Sequence, residues 1–184
     1  MSLTCTSSTL FNTSVSPKQS GRHSTINELT LSVGILTQEI NEFVKQTKLG
    51  FVATVCPDGT PNLSPKGTTT VWDDDHLVFA DIHSPGTITN LLVNPSIEIN
   101  IVDVFIRKGF RFKGTGEILS EGKLFEEIIS FYKEAGSKLT INHILLVKVE
   151  LIIPILSPIY DTDISEEQVI KRWSDYWAVF YKRK

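Results

Sequence analysis

The chain has 184 residues and a formal net charge of −3, a length that suits one well-buried domain and an acidity that argues against a broad nucleic-acid surface. Hydrophobic residues make up 41% and charged residues 21%, which excludes a chain that is disordered or fibrous throughout. The two cysteines, Cys5 and Cys56, are too few for a zinc site and fit a reducing compartment. No apolar run reaches the roughly 18–20 residues needed to span a bilayer, so the expectation is a soluble, cytoplasmic protein without a membrane or nucleic-acid partner.

Residues 1–30 are rich in Ser and Thr and hold no acid until Glu28, with Lys18 and Arg22 the only fixed positive side chains. Such a segment buries too little apolar surface to offset its ordering entropy, so it reads as a flexible tail. The alternative is an organelle transit peptide, which shares the acid-poor composition but usually carries more arginine. The domain proper is expected over residues 31–184. It opens with a short helix after Thr37, a suitable N-cap, with Ile40, Phe43 and Val44 on one stripe.

The stretch from Gly50 to Trp72 has the form of a hairpin. Phe51 to Cys56 is a β-prone run, Pro57-Asp58-Gly59-Thr60 is a turn, and a second arm follows through Lys66. The period of two places Asn62, Ser64 and Lys66 on one face of that arm, with Leu63 and Pro65 on the other. An amide, a hydroxyl and an ammonium on one side of a strand can hold an anion such as a phosphate. Thr68 to Trp72 reads as a third strand, Asp73-Asp74-Asp75 as a solvated turn, and His76 to Ala80 as a fourth strand.

A helix is expected over residues 84–93, with Ile88, Leu91 and Leu92 on its apolar side. Strands follow over Ile97 to Val102 and Phe110 to Leu119; Gly114 and Gly116 in the second suggest a bulge or a close backbone approach. Leu124 to Ala135 is an amphipathic helix, and Ile144 to Ile153 is a buried strand ended by Pro154. A last helix starts near Ser165, which makes a capping box with Gln168. That helix carries Val169, Trp173, Tyr176, Trp177 and Phe180, which implies docking on its own barrel or on a partner subunit. Short antiparallel strands without crossover helices among the first four point to a mainly β fold, a small barrel with peripheral helices.

The chemistry narrows by exclusion. The four histidines show no short ligand spacing, so no metal site is expected. No G-x-S-x-G elbow is present, and Gly114 to Glu117 lacks a dinucleotide fingerprint. What remains is Ser64-Pro65-Lys66-Gly67 and the segment Ser84 to Asn90. A lysine on a strand beside a helix N-terminus forms a phosphate cradle. The plainer reading, an exposed edge lysine and a threonine cap at Thr87, stands beside it.

The order FVATVCPDGTPNLSPKG, DDDHLVFAD, TITNLLVNPSIEINIV and GFRFKGTGEIL resembles the pyridoxamine 5′-phosphate oxidase-like family of FMN-binding split barrels, in its small members of unassigned substrate. The resemblance runs from about Thr37 to Leu119 and more loosely beyond. It implies a six-stranded antiparallel split β-barrel that forms a homodimer, with FMN between the subunits. By position, Ser64 and Lys66 would meet the flavin phosphate and ribityl region. Thr87 and Asn90 would hold the phosphate end, Asn62 and Pro65 would lie near the ring system, and Arg111 would touch cofactor or interface. The implied activity is hydride or electron transfer through flavin N5 to a small-molecule substrate, with NAD(P)H as a partner and no catalytic residue assigned.

One departure stands out. Relatives carry a lysine or arginine just before the helix threonine, where this chain has Gly86. The missing charge-assisted contact would cost about tenfold or more in FMN affinity unless Arg107, Lys108 or Lys113 replaces it. A deazaflavin, or no cofactor, is therefore the alternative to FMN. A non-catalytic flavin- or ligand-binding carrier or sensor, or a cofactor-free interaction domain, is the alternative to an enzyme.

Overall fold

The computed structural model describes residues 34–182; the segment read as a tail or transit peptide lies outside the described residues. Helix α1 (Gln38–Thr47) starts at Thr37, whose hydroxyl accepts from the Ile40 N–H at 3.4 Å. Its stripe is as expected, with Ile40 and Val44 buried and Phe43 packed against the same cluster. Strands β1 (Gly50–Val55) and β2 (Pro61–Lys66) form the hairpin. Cys56 N–H donates to the Thr60 carbonyl at 2.8 Å across the turn, and Gly59 sits at φ +83°, a conformation that favours glycine.

The remaining elements are β3 (Thr70–Val71), β4 (His76–Asp81), α2 (Pro85–Val93), β5 (Ser96–Asp103), β6 (Lys108–Leu119), α3 (Lys123–Glu134), β7 (His143–Leu156) and α4 (Glu166–Lys182). The seven strands form one antiparallel sheet in the order β2-β1-β5-β6-β7-β4-β3. Thus β2 and β3, three residues apart in the chain, do not pair but take the two opposite edges. A flat seven-stranded sheet would hold its edges about 29 Å apart, whereas the four steps from Lys66 to Thr70 span at most about 14 Å. The sheet has to curl until its edges nearly meet. The result is a curled antiparallel sheet of the split-barrel kind; the very short β3 accounts for a seventh strand beside the six expected.

Inside the curl, Val52, Leu77, Phe79, Ile99, Ile101 and Phe112 form the core, which α1 supplements with Leu36, Ile40 and Val44. On the other side of β4 and β7, α3 packs Ile128, Ile129 and Tyr132 against Val78, Ala80 and Ile144. Because β4 is covered on both faces, its five residues from Leu77 to Asp81 are all buried, and its sequence shows no alternation. No helix among the described residues is long and apolar enough to cross a membrane.

Three expectations need correction. The third strand is shorter than Thr68 to Trp72, because residues 67–69 cross between sheet edges and bond through side chains: Thr68 Oγ1 accepts from Ala80 N–H at 2.9 Å. Pro154 does not end β7, which runs to Leu156; β4 pairs with β7 only as far as Lys148, so the strand edge beyond is open and a missing N–H is tolerated there. The buried side of α2 is Thr87, Asn90 and Leu91, while Leu92 is 74% exposed.

The glycines of β6 behave as read. The β6–β7 register shifts between Lys113 and Gly114, and a Cβ on Gly114 would stand 1.9 Å from the Lys148 carbonyl oxygen. Gly114→Ala is expected to destabilise the protein by about 1–3 kcal/mol, whereas Gly67→Ala, with no atom near its Cβ position, should be close to neutral. Urea denaturation of the two variants measures the difference.

Candidate functional site

Asn62, Ser64 and Lys66 share the inward face of β2, half-buried, while Pro61, Leu63 and Pro65 point outward and are exposed. Register explains this. Asn62, Ser64 and Lys66 lie opposite Thr54, Val52 and Gly50, and that face of β1 looks into the curl, with Val52 and Thr54 at most 3% exposed.

The end of β2 meets the start of α2. Ser84 is the N-cap residue of α2, yet its side chain makes no capping bond; its Oγ instead accepts from Lys66 Nζ at 2.6 Å. The first N–H groups of a helix have no acceptor within it, and Pro85 has no N–H to offer. Gly86 and Thr87 are thus left with backbone N–H groups that no side chain caps. An ammonium beside the positive end of a helix dipole is the arrangement that anion sites use. Space is available, since nothing lies within 4 Å of a Cβ position on Gly67 or Gly86. Ser64 Oγ, two residues before Lys66 on the same face, is buried and has no hydrogen-bond partner.

Electrostatics shape this site further. Burial pushes the Lys66 ammonium below its ordinary value of 10.5, and the Asp81 carboxylate pushes back. Asp81, at the end of β4, is 3% exposed; its Oδ2 accepts from His143 Nδ1 at 2.9 Å, while its Oδ1 is buried without a partner. The cradle therefore has one cation, one set of helix N–H groups and a buried counter-ion behind them. Neither Asp81 nor His143 was legible in sequence as part of this constellation. The only signal was an acid placed between an apolar strand and a helix start.

The other candidate residues divide. Thr87 and Asn90 are 3% exposed. The Asn90 amide donates to Thr54 Oγ1 at 2.9 Å, and the Asn62 amide reaches the same oxygen at 3.2 Å. Both asparagines thus tie β2 and α2 to β1. Pro65 lies on the outward face, away from Lys66. Arg111 is outward too: it pairs with Glu98 at 3.0 Å and Asn100 Oδ1 at 3.4 Å, and the structure does not bring it to Lys66 or Ser84. The candidate replacements for the charge missing at Gly86 are engaged elsewhere. Lys108 bonds Glu166 at 2.5 Å, Lys113 bonds Glu98 at 3.2 Å, and Arg107 stacks 4.3 Å over Trp173.

A cavity of about 580 Å³ opens beside the Gly67–Thr70 link, lined among others by Lys45, Lys48, Thr68, Tyr132 and Ser137. Neither Lys66 nor Ser84 lines it, so the candidate anion site consists of converging donors and not of this hollow. Its floor is fixed by Tyr132, whose hydroxyl donates to the Thr68 carbonyl at 2.8 Å; burial holds that phenol far above its ordinary pKa.

Residues 36–152 match the sequence profile of the Pyridoxamine 5'-phosphate oxidase family. The chain belongs to that family. HupZ of Group A Streptococcus is similar at 31% identity over 67% of this chain and 96% of that chain, with a TM-score of 0.61. Two more distant structures share the fold. An FMN-binding protein from Syntrophomonas wolfei has 16% identity and a TM-score of 0.54, over 64% of this chain and 84% of its own. HutZ, the heme storage protein from Vibrio cholerae, has 24% identity and a TM-score of 0.53, over 64% and 93%. No curated protein sequence matches.

Within this member of the family, Lys66 is a charge held partly out of water, which costs the fold. A lysine with a depressed folded-state pKa weakens folding while it is charged in both states, and that cost lifts as pH rises through the folded pKa toward the unfolded value. Lys66→Met should therefore leave the melting temperature unchanged or raised at pH 7, with the gap to wild type closing toward pH 10.5. A melting temperature lowered by several degrees would make Lys66 a structural residue.

Proposed function

We propose that this protein is an FMN-dependent oxidoreductase that works as a homodimer on a small-molecule substrate, with NAD(P)H as reductant. One observation carries the reading: Lys66 Nζ stands 2.6 Å from Ser84 Oγ, at a helix start that no side chain caps. The residues fit a phosphate monoester. Lys66 supplies charge, the N–H groups of Gly86 and Thr87 supply directed donors, and the unpartnered Ser64 hydroxyl is available to a neighbouring ligand oxygen. When bound, the flavin supplies hydride or electron transfer at N5, while the protein supplies position, charge and exclusion of water. The family match supports the choice of a flavin.

The homodimer is supported by the outward sheet face, where Phe51, Leu63, Leu151 and Ile153 are between 36% and 66% exposed around a polar centre of Glu98, Arg111 and Lys113. Exposed apolar side chains of this kind, beside charges that already pair with one another, suit coverage by a second copy. Cysteine usage alone supports the cytoplasm as the compartment. With Lys108, Lys113 and Arg107 engaged elsewhere, FMN is held by one lysine, so modest affinity is part of the proposal.

The absorbance spectrum of the purified protein tests this directly. Flavin bands, FMN released on denaturation, and bleaching by NADH or NADPH are expected. A colourless protein that takes up no added FMN would overturn the reading, and flavin that no nicotinamide reduces would leave a carrier or sensor instead. An intense Soret band in place of flavin absorbance would point to haem, the ligand named for HutZ. Lys66→Ala should weaken FMN binding by about tenfold or more. In the wild type, FMN affinity should fall with rising pH before the ordinary lysine value of 10.5, because burial lowers the Lys66 pKa; titration of flavin fluorescence against pH measures it.

A further inference from the structure

Helix α4 carries an apolar stripe that the other described residues leave partly uncovered. At 100° per residue, Val169, Ile170, Trp173, Tyr176, Trp177, Phe180 and Tyr181 fall on one face about 140° wide. The root of that face is packed. Val169 is fully buried, Glu166 holds Lys108, and the Arg107 guanidinium lies over Trp173. Beyond the root, the ring contacts of Trp177, Phe180 and Tyr181 are with neighbours on the helix itself; Trp173 and Trp177 are half-buried, and their Nε1 groups are enclosed without an acceptor. Tyr176, Phe180 and Tyr181 are 54%, 48% and 64% exposed.

A second uncovered surface lies on the same chain. On the outward face of the β1–β2 hairpin, Phe51 lies opposite Pro65 and Leu63 opposite Ala53, with Phe51 42% and Leu63 66% exposed. Among the contacts of the described residues, α4 is fixed at its root by Lys108 and Arg107, at the start of β6. We propose that α4 is an exchanged arm, its aromatic stripe lying on the outward β1–β2 flank of a second copy of this chain. A two-fold axis then covers both stripes and both flanks at once. The proposal rests on the two-copy part of the reading above and names the element that makes the contact.

The area is sufficient. Aromatic side chains bury roughly 150–250 Å² each, so Tyr176, Phe180, Tyr181 and Phe51 at about half exposure offer on the order of 400 Å². Leu63 and Ile170 bring one copy to roughly 550 Å² and two copies to about 1,100 Å², above the roughly 1,000 Å² that a specific interface needs.

Sedimentation equilibrium of the full chain is the test, with Phe180→Glu, Leu63→Glu and the remote exposed control Leu139→Glu, which is 59% exposed in wild type. The expected result is a dimeric wild type and control. Phe180→Glu and Leu63→Glu should each weaken dimerisation at least tenfold, with the circular dichroism spectrum unchanged. A dimer that persists in either variant overturns the arm while leaving the two-copy reading standing. A monomeric wild type overturns both, and a monomer that pellets with phosphatidylglycerol vesicles makes the stripe a lipid contact instead. If Leu139→Glu dissociates equally, the effect is general charge repulsion and the proposal fails.

Discussion

Three residues, Gly67 to Thr69, separate the two edges of a seven-stranded sheet, and much of the molecule follows from that tether. It is far too short to cross a flat sheet, so the sheet curls, and curling creates the interior that Val52, Phe79, Ile99 and Phe112 fill. The same tether fixes where Lys66 ends up, as the last residue of the edge strand before the crossing. Thr69 Oγ1 donates to the Lys66 carbonyl at 2.9 Å and Tyr132 donates to the Thr68 carbonyl. The backbone carrying the ammonium is thereby held from both sides.

The candidate site is then a matter of charge placed against solvation. A lysine half out of water is unfavourable on its own account, and here the opposing terms are Ser84 Oγ, the α2 N-terminus and the Asp81 carboxylate. Asp81 in turn is anchored by His143 from β7, so strands β2, β4 and β7 and helix α2 all converge on one charge. A bound anion would add the negative partner that this arrangement lacks on its open side. The buried acid behind Lys66 limits how much negative charge the site welcomes, which is one reason the affinity proposed for a flavin phosphate is modest.

Local features were legible because they depend on neighbours in sequence. The Thr37 cap, the Pro57–Thr60 turn and the Ser165–Gln168 box need only a few adjacent residues to satisfy backbone groups, and each formed as read. The face shared by Asn62, Ser64 and Lys66 was legible for the same reason, since strand geometry alone sets it. The α2 face was misjudged because hydrophobicity favoured Leu92. The polar pair Thr87 and Asn90 is buried instead, as the Thr54 hydroxyl on β1 offers Asn90 a partner.

The sequence by itself determined the elements, the inward face of β2 and the family likeness, all of which rest on short-range periodicity and on the order of motifs. Only the tertiary structure decided that β2 and β3 take opposite edges, that Arg111 points away from Lys66, and that Asp81 and His143 stand behind it. Those facts depend on strand order and register between segments tens of residues apart, set by closure of the curl and burial of its core, and no local pattern encodes them.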